Sequence, residues 1–327
     1  MTAPSSSSSD LHVVLGASGG VGAALVRALT ARGLRTRAVT RNGTRPAPAL
    51  QEVRADITDP AALDAALAGA SVVYHAAQPP YTTWPTRFRP MTRGVLDAAH
   101  RAGAKLVLAD NLYMYGPVPG GYGPAAPGGP LTEDQPWRAT GSKGRVRAAM
   151  AADVLAAAHR QPVTIGRLSD YYGPAGVGSA VGASLFRAAA TGRTAVWYVD
   201  ADQPHTFSYL DDAAAALLVL GQHDAADGRV WHLPAAEALT PRRFIADVYA
   251  AAGTRFRLRV LPTLALRAAA PVTPMVRELL ELTWQVDRPY VLDATRYTST
   301  FGQLVPTPHE QAIKTTLAWY ADHPDVH

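Results

Sequence analysis

Three glycines at Gly16, Gly19 and Gly22 sit where a short apolar run, residues 12–15, gives way to a stretch with helical spacing, residues 21–31. A turn this bare, Gly16-Ala17-Ser18-Gly19-Gly20-Val21-Gly22, lets the backbone approach a ligand closely. It also aims the positive end of the following helix at negative charge, which suits a pyrophosphate. A glycine pattern alone is weak evidence. Placed between a strand and a helix at the start of a strand-helix series, it constrains the fold strongly.

That series continues. Apolar runs at 35–40, 52–55, 71–75, 105–109 and 163–168 read as strands. Between them, 59–67, 92–102 and 142–159 carry helical spacing, the first of these segments starting where Asp59 can cap and Pro60 can take the first helical position. The pattern predicts an α/β fold, a Rossmann-type doubly wound parallel sheet with a smaller C-terminal substrate lobe. Residues 1–10, rich in serine, read as a disordered tail, and 11–168 as the dinucleotide-binding domain. Residues 169–327 read mainly as the substrate lobe, with about 206–234 returning to the sheet. Further elements are expected at 196–199, 211–220 and 230–233, with a helix capped by Thr240-Pro241. The glycine- and proline-rich stretch 116–136 reads as a long loop, either mobile or part of a lid.

Composition narrows the function classes. The chain has no cysteine, which removes disulfides, thiolate metal sites and a cysteine nucleophile, and favours a reducing compartment. The N-terminal serine run lacks the basic and apolar regions of a signal peptide, and no apolar run approaches the roughly 20 residues that span a bilayer. A cytoplasmic protein without a membrane partner is expected. The net charge of +5 comes from scattered arginines rather than a basic patch interleaved with aromatics, so no nucleic-acid partner is expected. The histidines show no ligand spacing, and no metal site is expected.

Beyond the glycine turn, the chain carries Asp56-Ile57 after the third strand, His75-Ala76-Ala77 after the fourth, Tyr115-Gly116 after the fifth and Arg167 to Pro174 ending in Tyr-Gly-Pro. With Ser208-Tyr209-Leu210-Asp211-Asp212-Ala213, these features resemble the extended short-chain dehydrogenase/reductase family, the sugar-nucleotide epimerase and dehydratase relatives, over most of the chain. The resemblance implies a nicotinamide cofactor held by Gly16, Ser18, Gly19, Gly20, Val21 and Gly22. Asp56 and Ile57 would flank the adenine, Ala76 and Ala77 would lie near the ribose and phosphates, and Leu168 would follow on strand six. Relatives often pair through two helices, so a homodimer is also implied. Asp56 can also read as a solvated loop carboxylate. At the end of the second strand, Thr40-Arg41-Asn42 replaces the acid typical of NAD-preferring proteins. Arg41 can pair with an extra phosphate, which favours NADP(H) over NAD(H), unless it is plain surface charge.

The family's catalytic set is incomplete here. Its serine or threonine position, four before the tyrosine of Tyr-Gly, holds Asn111, whose amide can still donate to a substrate oxygen. Its Tyr-x-x-x-Lys pair would place the tyrosine at Ala139 if Lys143 is the lysine, or at Gly141 if Arg145 replaces it; no tyrosine occurs between Tyr122 and Tyr171. Lys143 is one of three lysines and can bind the nicotinamide ribose or be a solvated helix-start residue. Tyr113, two residues beyond Asn111, is the candidate proton donor. Tyr81, Trp84, Tyr113 and Tyr171 emerge at the same sheet edge and, with His205, are candidate substrate-pocket residues; packing and solvated roles remain open for each. These features point to an atypical NADP(H)-dependent oxidoreductase for a small, partly apolar or aromatic metabolite. A non-redox isomerase, cyclase or dehydratase, or a non-catalytic NADP(H) sensor, stand beside it.

Overall fold

The computed structural model describes residues 10–42 and 51–325. Nearly all of the serine-rich tail therefore lies outside the described residues. Six strands and the helices between them follow the order read from the sequence: β1 (His12–Leu15), α1 (Gly20–Ala31), β2 (Thr36–Thr40), β3 (Gln51–Arg54), α2 (Pro60–Leu67), β4 (Val72–His75), α3 (Trp84–Arg101), β5 (Lys105–Asp110), α4 (Ser142–Ala156) and β6 (Val163–Arg167). Beyond them lie β7 (Asp170–Tyr172), α5 (Ala183–Ala190), β8 (Ala195–Tyr198), β9 (Phe207–Tyr209), α6 (Leu210–Gln222) and β10 (Arg229–His232). The chain continues through α7 (Pro241–Ala251), β11 (Leu258–Leu261), α8 (Thr263–Ala269), α9 (Pro274–Leu280), α10 (Thr295–Phe301) and α11 (His309–Asp322).

Seven strands form one parallel sheet in the order β10-β6-β5-β4-β1-β2-β3, the doubly wound arrangement expected. Both faces of the central strands are covered, so β1, β4 and β6 are buried along their whole length, and β5 nearly so, rather than alternately, while edge strand β3 is largely exposed. Val13, Leu15, Val73, Leu106 and Ile165 face α2, α3 and α4 through Leu63, Leu67, Phe88, Val95 and Met150. Val14, Val72, Tyr74 and Val107 face α1 and α6 through Leu25, Leu29, Leu217 and Leu220. The direction of winding reverses between β1 and β4, and a crevice opens there at the strands' C-terminal ends. Two further parallel pairs, β7 with β9 and β8 with β11, build the smaller lobe.

Two segments differ from the reading. Helix α3 begins eight residues before the expected start, because Pro85 occupies its first turn, where no N–H partner is needed, and Pro90 is carried inside it. Trp84 and Phe88, both buried and packed edge to face with 5.0 Å between centroids, hold that turn in place against the missing bond. The loop 116–136 is neither loose nor a lid. Tyr122 and Leu131 exchange backbone hydrogen bonds with Pro289, Val291 and Asp293, both side chains are buried, and none of the loop's residues lines the cavity described below. Among the described residues no helix is long and apolar enough to cross a membrane.

Candidate active site

Gly16 leaves β1 with φ +79°, and a Cβ there would lie 2.6 Å from both Cα and N of Ala77. Only glycine lets the exits of β1 and β4 run this close. Gly22 is needed for another contact: its Cβ would collide with the Gly16 carbonyl, so it sets how tightly α1 seats on the turn. Gly19 differs from both, since a Cβ on it would meet nothing closer than the Gly16 oxygen at 3.5 Å. Gly19 is also the N-cap of α1; no side chain caps that helix and no acid lies in its first turn. The helix thus presents bare backbone donors and a positive dipole end to the crevice.

The crevice is a cavity of about 1440 Å³. A site for a single drug-sized ligand usually occupies roughly 300–1,000 Å³, so there is room for a dinucleotide and a second molecule. Gly16, Ser18, Gly19, Gly20, Val21, Ala76, Ala77 and Leu168 line it, and Gly22 lies behind the turn. At one end stand Arg41, Asp56, Ile57 and Arg87. Asp56 Oδ1 accepts from the Thr58 N–H at 2.9 Å and from its hydroxyl at 2.8 Å. These bonds, with the nearby charges of Arg41 and Arg87, hold the Asp56 carboxyl below its ordinary range.

At the other end the wall is made by Tyr81, Trp84, Asn111, Tyr113, Arg147, Asp170, Tyr171, Tyr198 and Tyr290. Asn111 Oδ1 accepts the backbone N–H of Tyr113 at 3.1 Å, which leaves the amide nitrogen as the donating end. The Tyr81 and Tyr113 hydroxyls interact with each other. Burial pushes both phenols well above their ordinary range, and Arg147 opposes the rise at Tyr113. Arg147 comes from the middle of α4, packs over the rings of Trp84 and Phe88 at 4.4 Å, and donates from Nη1 to Asp110 Oδ1 at 3.1 Å.

Two residues expected at the site stand elsewhere. Lys143 is fully buried but does not line the cavity: its ammonium pairs with Glu278, donates to the Tyr81 carbonyl at 3.3 Å and lies 4.1 Å from that ring's centre. Glu281 completes the grip on the first turn of α4, accepting from the Ser142 hydroxyl at 2.8 Å and the Lys143 N–H at 2.6 Å. A Cβ at Gly141, one of the two positions considered for a tyrosine, would collide with that carboxylate. His205 lies one layer behind the wall, its Nε2–H donating to Asp170 Oδ2 at 3.0 Å. Arg147, Asp170, Arg87, Tyr198 and Tyr290 also line the cavity and were not expected from the sequence. Only Arg147 left a signal, since Lys143-x-x-x-Arg147 repeats the Tyr-x-x-x-Lys spacing with different residues.

Sheet order, glycine turn and a crevice with room for two ligands define a doubly wound dinucleotide-binding protein. The chain belongs to the NAD dependent epimerase/dehydratase family, whose pattern matches residues 12–233. Solved structures share the fold over nearly the whole chain at low identity. The UDP-N-acetylglucosamine 4-epimerase from Bacillus cereus is 14% identical, with 98% of each chain covered and a TM-score of 0.73. The dTDP-glucose 4,6-dehydratase from Streptomyces venezuelae, solved with NAD, is 18% identical over 96% of this chain and 97% of its own, at 0.73. An epimerase from Methanothermobacter thermautotrophicus is 13% identical over 97% and 94%, at 0.78. No curated protein matches the sequence.

Proposed function

We propose that this protein is an NADP(H)-dependent oxidoreductase of atypical type, acting on a small, partly apolar or aromatic metabolite. The observation that carries this reading is the convergence of the Asn111 amide, the Tyr81–Tyr113 hydroxyl pair and Arg147 on one wall of the cavity that the glycine turn opens. The residues present fit the cofactor: the uncapped start of α1 and the open side of Gly19 suit a pyrophosphate, and Ala76, Ala77 and Leu168 line the floor beside it. Bound there, nicotinamide supplies or accepts a hydride at C4. Arg41 holds the extra phosphate of NADP(H), and Arg87, which bears on the same Asp56, gives that end a second positive charge.

At the reacting end, the Asn111 amide nitrogen donates to the substrate's oxygen or nitrogen. Tyr113, steadied by its interaction with the Tyr81 hydroxyl, delivers its proton to the same atom. Arg147 places positive charge beside that phenol and so eases its ionisation. Lys143, held by Glu278, fixes the start of α4 and the position of Tyr81.

Family membership favours a second reading, epimerisation or dehydration with no net change in the nicotinamide. Steady nicotinamide absorbance during turnover supports it against the first. Cofactor preference is tested by the dissociation constants of NADPH and NADH. NADPH is expected to bind about tenfold tighter or more, the scale of a hydrogen bond between charged groups. Arg41→Ser should bring the two within about a factor of three; tighter NADH binding by the unaltered protein overturns the assignment.

A further inference from the structure

Asp170 opens β7 on the cavity wall, and its position is imposed from behind. His205, buried, gives its Nε2–H to Oδ2 and is boxed by the rings of Phe207 and Tyr290, with centroids 4.9 and 5.3 Å away. The backbone of His205 exchanges two hydrogen bonds with Leu239, at 2.9 and 3.1 Å. One carboxylate oxygen is thereby pinned. The other has no hydrogen-bond partner among the described residues.

Four tyrosines share the cavity wall with this carboxylate. Tyr113, Tyr171, Tyr198 and Tyr290 all line the cavity; burial is the main cause that raises their pKa values, and the negative charge of Asp170 adds to it at each, so all four lie within its electrostatic reach. Leu279 and Leu282 close the wall with apolar surface. Aromatic rings attract cations to their faces, and a carboxylate in a partly desolvated pocket pairs strongly with a donor of positive charge. A diphosphate would meet the opposite situation. Lys143 is engaged by Glu278, Arg147 shares Asp110 with Arg167, and Asp170 adds repulsion beside the tyrosines.

We propose that the substrate of this site carries a positively charged nitrogen, seated on Asp170 among Tyr113, Tyr171, Tyr198 and Tyr290. This rests on the reading of the cavity as the substrate site of an oxidoreductase and names the substrate class. It sets the protein apart in substrate from structural neighbours solved with UDP-glucose or UDP-glucuronic acid beside NAD. His205 is a positioning residue in this scheme, holding the carboxylate rather than touching the substrate.

The test is calorimetric titration of the NADPH-loaded protein with three probes, benzylamine, benzyl alcohol and UDP-glucose. Benzylamine should bind about 10- to 100-fold tighter than benzyl alcohol, the scale of one hydrogen bond between charged groups. Asp170→Asn, which keeps an acceptor for His205, should abolish that preference while leaving NADPH affinity unchanged, and Asp170→Glu should keep part of it. Equal binding of amine and alcohol overturns the proposal. So does undetectable binding of benzylamine, a preference that survives in Asp170→Asn, or UDP-glucose binding as tightly as benzylamine. Failure of NADPH to bind overturns the oxidoreductase reading instead, and the same titrations on cofactor-free protein then decide the proposal made here.

Discussion

Asp110 is the point at which stability and the site meet, and Asp110→Asn measures how much depends on its charge. The carboxylate ends β5 with 1% side-chain exposure and serves two buried guanidinium groups, Arg147 Nη1 at 3.1 Å and Arg167 Nε at 3.3 Å. Arg167 also donates to the Tyr115 hydroxyl at 2.8 Å, which in turn meets His232 Nε2 at 2.7 Å. Two positive charges therefore share one negative charge in a largely buried place, with Arg147 Nε and Arg167 Nη2 already without partners among the described residues. Asparagine has nearly the same shape but removes the anion that both guanidinium groups share. Stranding a buried charge in this way costs about 3–5 kcal/mol. Because Arg147 borders the cavity, the lower part of that range applies, and about 3 kcal/mol corresponds to a loss of roughly 4 °C in Tm for a chain of this length. Urea denaturation gives the free energy, and an unchanged m-value shows that the same unit unfolds. Asp64→Asn is the control, since its pair with Arg101 is about half exposed on both sides and should change stability by less than about 1 kcal/mol. Adding Arg147→Met to Asp110→Asn should recover part of the loss by removing one stranded charge. If Asp110→Asn falls within about 1 kcal/mol of the control, the guanidinium charges are solvated through the cavity and the argument fails.

Tyr113→Phe should lower kcat by about 100-fold or more, the usual contribution of a positioned proton donor, with the NADPH dissociation constant unchanged; undiminished turnover removes Tyr113 from that role. Acid should weaken the fold through His75 and His232. Burial, aided by Arg147 and Arg167 respectively, pushes these histidines down to about 3. Both stay neutral when folded and take a proton on unfolding below about pH 6.5, so their contribution is constant above that pH and is lost as pH falls toward about 3. At about pH 5 the loss is about 2 kcal/mol for each. Unfolding free energies that stay level between about pH 7 and pH 5 contradict this.

Much of the architecture is written locally. A strand buried on both faces is a continuous apolar run, a glycine turn announces itself by lacking side chains, and Asp59 with Pro60 marks the start of α2 within a few residues. Such signals come from neighbours in the chain, and the doubly wound sheet and its cofactor crevice could be read from them. The start of α3 could not, because Pro85 and Pro90 argue locally against a helix that Trp84 and Phe88 secure by packing.

The substrate end is different in kind. Lys143 invites a role at the cofactor by its spacing, yet Glu278 and Glu281, from the far C-terminal part of the chain, decide where it and the start of α4 lie. Asp170, Tyr198 and Tyr290 belong to separate segments, and no local periodicity relates them. The sequence by itself determined the sheet, the glycine turn and a dinucleotide ligand, because backbone geometry and burial act over a few residues. Only the tertiary structure decided which charges are neutralised and which face the cavity, because charge pairing depends on distance in space rather than along the chain.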